Sequence, residues 1–184
     1  LTLIVAAVLT ILLGMGMPTP SAYILAAVLM GPLFVQLNIN LLSGHLFLLY
    51  FAVLSALTPP VAVAAYAAAS IAEDNPLAIA AHATRFALAA FLVPFIFVYG
   101  PELLWIGPVW KTFLTFGTAA LGIIFVAAAI ESYKPICATP AARIVMAGAG
   151  FAMITPFYTA TFIGAGLAVV TYIVNRLTVK ATTA

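Results

Sequence analysis

An all-α integral membrane protein is the fold class this sequence predicts, and three observations carry it. Of 184 residues, 66% are hydrophobic and 5% charged, where a soluble domain carries about a quarter charged residues. The mean hydropathy is +1.28, and apolar runs long enough to span a ~30 Å hydrocarbon core recur along the chain. The alternating apolar and polar segments of a membrane barrel are missing, so the spans are helices. A net charge of +2 without a basic cluster argues against nucleic acid as a partner. The single Cys137 excludes an intrachain disulfide framework and a cysteine-based zinc site. The chain opens at Leu1 inside an apolar run, with no Met and no charged leader region. That is unlike a signal peptide and reads as a piece cut from a longer membrane protein.

In chain order, residues 1–13 are apolar and lead to the break GMGMPTP (14–20). Residues 21–37 return as an apolar helix with a kink or turn expected at Gly31-Pro32. NINLLSGH (38–45) reads as a polar loop. Residues 46–72 read as one long helix broken by LTPPVA (57–62). EDNP (73–76) is a charged loop, and Pro76 suits the first turn of the next helix, 77–99. Trp105 and Trp110 mark an interfacial stretch, 100–111, of the aromatic-belt kind. A plain span follows over 112–131, then a loop over 131–143. Residues 144–154 and 158–175 read as two short spans parted at Thr155-Pro156, with a single broken span as the alternative. The composition shifts near residue 100, between a part rich in breaks and a part of plain spans. If 77–99 runs from side X to side Y, then Lys134, Arg143, Arg176 and Lys180 fall on X, with Arg85 nearby. Lys111 stands alone on Y, which makes X the cytoplasm.

The two breaks carry the chemistry. Pro18, Pro20, Pro59 and Pro60 have no N–H to give, so a continuous helix would strand the carbonyls of Gly14, Gly16, Ser55 and Ala56. Stranded carbonyls are costly in lipid and must face protein or a watery cavity. They are hard oxygen ligands suited to a cation such as sodium, and Thr19, Ser21 and Thr58 add hydroxyls beside them. A helix restarting after Pro20 or Pro60 offers free N–H groups and a positive dipole end to an anion. These residues make a candidate cation site of Gly14, Gly16, Thr19, Ser55 and Thr58, and a candidate solute site of Ser21, Pro59 and Pro60. Kinks without ligands are common in membrane helices, so a purely structural role for either break stays open. Paired broken segments near the midplane are a mark of secondary transporters.

GMGMPTPSAYIL, followed by GPLFVQLNINLLSGHLFLLYFAVLSALTPPVAVAAYAAASIA, resembles the second half of the large membrane subunit of TRAP transporters. These are the tripartite ATP-independent periplasmic transporters, and the likeness is to the TAXI-type permeases. It covers roughly residues 1–100; residues 101–184 resemble the extra C-terminal helices of some fused permeases. The resemblance implies half of an elevator-type transport domain, with 1–37 as its second hairpin and 46–72 as its second broken helix. It further implies sodium- or proton-coupled import of an organic acid handed over by a periplasmic binding protein, in the bacterial inner membrane. The rest of the permease, namely the N-terminal half and the small-subunit helices, is an implied partner. No cofactor is expected. Sodium is expected as the coupling ion, since this half shows no carboxylate at mid-span. Family members commonly carry Gly after the TPPV valine, where this chain has Ala62.

The other ionisable residues read as peripheral. Arg85 reads as a snorkelling anchor two turns into its helix, with His82 beside it. His45 reads as a helix-end residue, and Glu73, Asp74, Glu102 and Glu131 as loop or span-end acids. Two isolated histidines and one cysteine do not make a metal site. No nucleophile-and-base pair and no Gly-x-Ser-x-Gly points to an enzyme. The alternatives to a TRAP permease are a structural or assembly subunit, and a secondary transporter that needs no binding protein.

Overall fold

The computed structural model describes residues 1–133, 139–155 and 157–182. Lys134, Cys137 and Pro156 therefore lie outside the described residues, as do the side chains of Arg176 and Lys180. The described chain is all helical: α1 (Thr2–Gly14), α2 (Thr19–Gln36), α3 (Leu41–Leu54), α4 (Val63–Ala72), α5 (Pro76–Ala87), α6 (Val93–Tyr99), α7 (Val109–Ile130), α8 (Pro140–Ile154) and α9 (Tyr158–Thr182). Short 3-10 turns at Ala90–Leu92 and Pro101–Leu104 complete it. By length and composition α2 and α7 can each cross a membrane, and the bent pair α5–α6 makes a third crossing if counted as one span. The chain divides into two compact units. The first holds 1–87 and 91–104, and the second holds 88–90 and 105–184.

In the first unit α3 is the hub, packing against α1, α2 and α6. Its buried face presents Phe47, Leu48, Phe51 and Ala52, three to four residues apart as one helical face requires. Phe47 meets Phe34 of α2 and Phe95 of α6 edge-on, with ring centroids 5.8 and 5.3 Å apart. Such edge-to-face pairs add specificity beyond the area they bury. Gly44 leaves room for the Phe34 ring, which a Cβ there would meet at 2.7 Å. These contacts hold the α1–α2 pair against the first arm of the broken helix.

Several boundaries differ from the sequence expectation. The polar stretch 38–45 is largely helix, because Asn40 caps α3 and its side chain accepts from the amides of Leu42 and Ser43 at 3.0 and 3.4 Å. No turn interrupts α2 at Gly31-Pro32, and the helix runs on with Pro32 inside it. Residues 77–99 are a bent pair rather than one helix, α5 and the segment Ala90–Tyr99 meeting at 58°. Pro94 offers no N–H to the Ala90 carbonyl, which removes a rung of the ladder at the bend. Arg85 consequently sits in the last turn of α5 rather than two turns into a long span. Pro76 does open α5, and Asn75 caps it by accepting from Leu77 and Ala78 at 2.9 and 3.4 Å.

The second unit is built from α7, α8 and α9. α7 starts earlier than 112, because the Pro108 carbonyl accepts from the amides of Lys111 and Thr112 at 3.0 and 3.3 Å. Trp110 thus joins its first turn, and both Trp105 and Trp110 are exposed. α7 and α8 cross at paired glycines. A Cβ on Gly122 would lie 2.7 Å from the Gly150 carbonyl oxygen, and one on Gly150 would lie 2.6 Å from that of Gly122. Small residues at such crossings let helices approach in lipid, where no hydrophobic force drives them together. α9 folds back on α8, with Gly164 against the Ala149 carbonyl and Ala168 in one buried cluster with Met146 and Ala149. Residues 144–175 are therefore a hairpin and not one broken span. Arg143 closes the C-terminal end of α7, its Nε donating to the Ala129 carbonyl at 3.0 Å and its Nη2 to that of Ile130 at 3.4 Å.

Candidate functional site

The two breaks meet. Gly14 ends α1 directly against Ser55, the residue that closes α3. A Cβ on Gly14 would overlap the Ser55 hydroxyl and lie 2.8 Å from Ser55 Cβ. Gly16 turns the chain at φ +78°, a left-handed conformation that glycine adopts without strain. A Cβ there would lie 3.7 Å from Cγ1 of Val61. The turn between α1 and α2 is thus seated on the irregular segment 55–62. α3 is about 21 Å long at 1.5 Å per residue, so that segment begins well inside a ~30 Å hydrocarbon core if α3 starts at its edge.

Three of the four carbonyls expected to be stranded, those of Gly14, Ser55 and Ala56, find substitute donors. Gly14 accepts from the Met17 amide at 3.3 Å, Ser55 from that of Thr58 at 3.3 Å, and Ala56 from that of Ala64 at 3.1 Å. The last bond bridges the break and links its two arms. Burial of unpaired backbone in lipid is costly enough that the chain bends to avoid it. Each of these carbonyl oxygens keeps a second lone pair, so pairing does not end its use as a cation ligand.

Both hydroxyls at the break point their protons at backbone. Ser55 Oγ donates to the Ala52 carbonyl at 2.8 Å and Thr58 Oγ1 to that of Leu54 at 2.8 Å. A hydroxyl that donates in this way presents its lone pairs elsewhere, as an oxygen ligand for a hard cation must. Ser55 is buried and Thr58 half-buried. The oxygens named at the break, backbone carbonyls and the hydroxyls of Ser55 and Thr58, are all neutral.

The remaining predicted residues are placed less uniformly. Thr19 opens α2 with Pro18 as its N-cap, so that helix restarts before Pro20 and not after it. Ser21 is exposed on α2, and no hydrogen bond joins Thr19 or Ser21 to the break. Pro59 and Pro60, joined by a cis peptide, lie in the irregular segment. Ala62 is fully buried at φ +38°, ψ +54°, a region an L-residue with a Cβ adopts at a cost of roughly 1–2 kcal/mol. The glycine expected at that position would adopt it freely.

Two features escaped the sequence reading. Thr84 of α5 donates its hydroxyl to the Leu57 carbonyl at 3.1 Å, a contact between residues far apart in sequence. His45 is not a mere helix-end residue, since its Nδ1 lies 2.8 Å from the Tyr23 hydroxyl and joins α3 to α2. Neither contact follows from a motif; both arise when helices pack. Asp74 Oδ1, by contrast, accepts from the neighbouring Asn75 amide, a local loop role as expected.

Comparison with protein families gives a match over residues 1–111 to the tripartite ATP-independent periplasmic transporter, DctM component. The chain belongs to this family. The DctM match covers the whole first unit, with both breaks, and ends just beyond its last residue, Leu104. As a DctM component the chain is part of a membrane transporter and not an enzyme, and the family works as a tripartite system with a periplasmic binding protein. Comparison with curated proteins and with solved structures returned no match.

Proposed function

We propose that the first unit is the second half of an elevator-type transport domain, one that couples sodium entry to uptake of an organic acid such as a dicarboxylate. A periplasmic binding protein delivers the acid, and the permease sits in the bacterial inner membrane with its N-terminal half and small-subunit helices. The seating of Gly14 on Ser55, and of Gly16 on Val61, carries this reading. A cation held by oxygens of the turn and the break would bind only when the two are apposed. Its binding would therefore favour the closed arrangement by its differential affinity for that state. Ser55 and Thr58 supply hydroxyl oxygens. Gly14, Gly16 and Thr19 supply the turn. The start of α2 near Ser21 and the segment at Pro59 and Pro60 would face the anionic solute. Residues 105–184 act as added C-terminal helices of a TAXI-type permease.

The test is uptake into proteoliposomes by the complete permease with its binding protein, over a panel of dicarboxylates, with and without a sodium gradient. Uptake that needs both sodium and the binding protein is the expected result. Uptake driven equally by a proton gradient without sodium would overturn the coupling ion, and uptake without the binding protein would overturn the delivery step.

A further inference from the structure

We propose that α5 is a splint across the broken helix and that Thr84 is a positioning residue for the sodium site, holding the Leu57 carbonyl in place. This rests on the sodium reading above. A helix interrupted over 55–62 has lost the ladder that would keep its arms in register. α5 touches the gap itself and the arm beyond it. Ala80, fully buried, packs with Ala62 and Ala65 at the start of α4. One turn further along the same face, Thr84 donates to Leu57, between Ser55 and Thr58.

The Thr84 bond is unlike those of three other threonines of the described residues. Thr10, Thr118 and Thr171 each donate to a carbonyl four residues back in their own helix, Ala6, Leu114 and Leu167, the usual habit of a helical threonine. Thr84 instead supplies the hydrogen bond that a continuous helix would have drawn from the Val61 amide. Its loss would leave the Leu57 carbonyl without this donor and free to turn, disturbing the oxygens on either side. The alanines on both helices let α5 come close enough to make the bond.

Purified permease containing the full chain would be melted by circular dichroism while sodium chloride is titrated against choline chloride at constant ionic strength. The wild type is expected to gain thermal stability saturably with sodium. Thr84→Val should melt within a few degrees of wild type in choline, yet need about fivefold more sodium for half of its stabilisation, the scale of one net hydrogen bond. Thr84→Ser should return the sodium requirement to within about twofold of wild type, since the donor is restored. If Thr84→Val does not fold, Thr84→Cys, near in size and a weak donor, should fall between wild type and the fivefold shift. A Thr84→Val titration that overlays the wild type would overturn the role of Thr84 and leave the sodium site standing. A wild type that ignores sodium would overturn the sodium reading and the positioning role together.

Discussion

Glycine performs two different tasks in the two units. In the first, Gly14 and Gly16 sit at the end of α1 and in the turn after it, against a serine and an irregular segment. In the second, Gly122, Gly150 and Gly164 sit inside regular helices, against carbonyls and side chains of a neighbouring helix. Gly14 and the three glycines of the second unit leave no room for a Cβ, whereas Gly16 has room for one and is favoured by its φ of +78°. The difference lies in what is approached. In the second unit every backbone group near the glycines already belongs to a helix, so the close approach produces packing. In the first unit the approach brings together carbonyls, hydroxyls and turned backbone that are not locked into a ladder. Close packing of regular helices yields a support, and close packing of two helix breaks yields the irregular backbone on which the proposed sodium site rests.

The sharpest way to break this comparison is to fill the glycines. Gly150→Leu should cost about 3 kcal/mol or more, at the upper end of overpacking penalties, because backbone and not a flexible side chain stands in the way. The measurement is the melting temperature, or the yield of monodisperse protein in detergent. Gly148→Leu, two residues away in open space on the exposed face, should change stability by less than about 0.5 kcal/mol. Equal outcomes for the pair would refute the α7–α8 crossing.

In the first unit the expected losses are functional. Gly14→Val forces the turn off Ser55 and should reduce sodium-dependent uptake at least tenfold, or about 1.4 kcal/mol, with a smaller drop in melting temperature than Gly150→Leu produces. Thr58→Val keeps shape and removes an oxygen of the proposed site. It should raise the sodium concentration for half-maximal uptake by about five- to tenfold, and unchanged sodium dependence would remove Thr58 from the site. The smallest effect is expected of Ala62→Gly. Relief of the left-handed strain is offset by the lost methyl and the greater freedom of the unfolded chain, so stability should move by no more than about 1 kcal/mol.

Much of this was legible in the chain. The prolines at 18, 59 and 60 announced both breaks, because a missing N–H is a local fact. Pro76 announced the start of α5 for the same reason, and the structure adds the cap from Asn75. Asn40 was equally legible as a cap, yet the polarity of its surroundings masked it, and the start of α3 was misplaced. The bend before Pro94 was hidden because Gly31-Pro32, a proline in similar apolar surroundings, leaves its helix unbroken.

By itself, then, the sequence determined that this is a helical membrane protein of the DctM kind, where its helices break, and which hydroxyls stand beside the breaks. Those are matters of composition and of covalent structure at single residues. Only the tertiary structure decided that the turn at Gly14–Gly16 rests on the segment at Ser55–Ala62, that the Ala56 carbonyl is answered by Ala64, and that Thr84 reaches Leu57. Each of these joins residues distant in the chain, and their apposition depends on which small side chains let which helices come close.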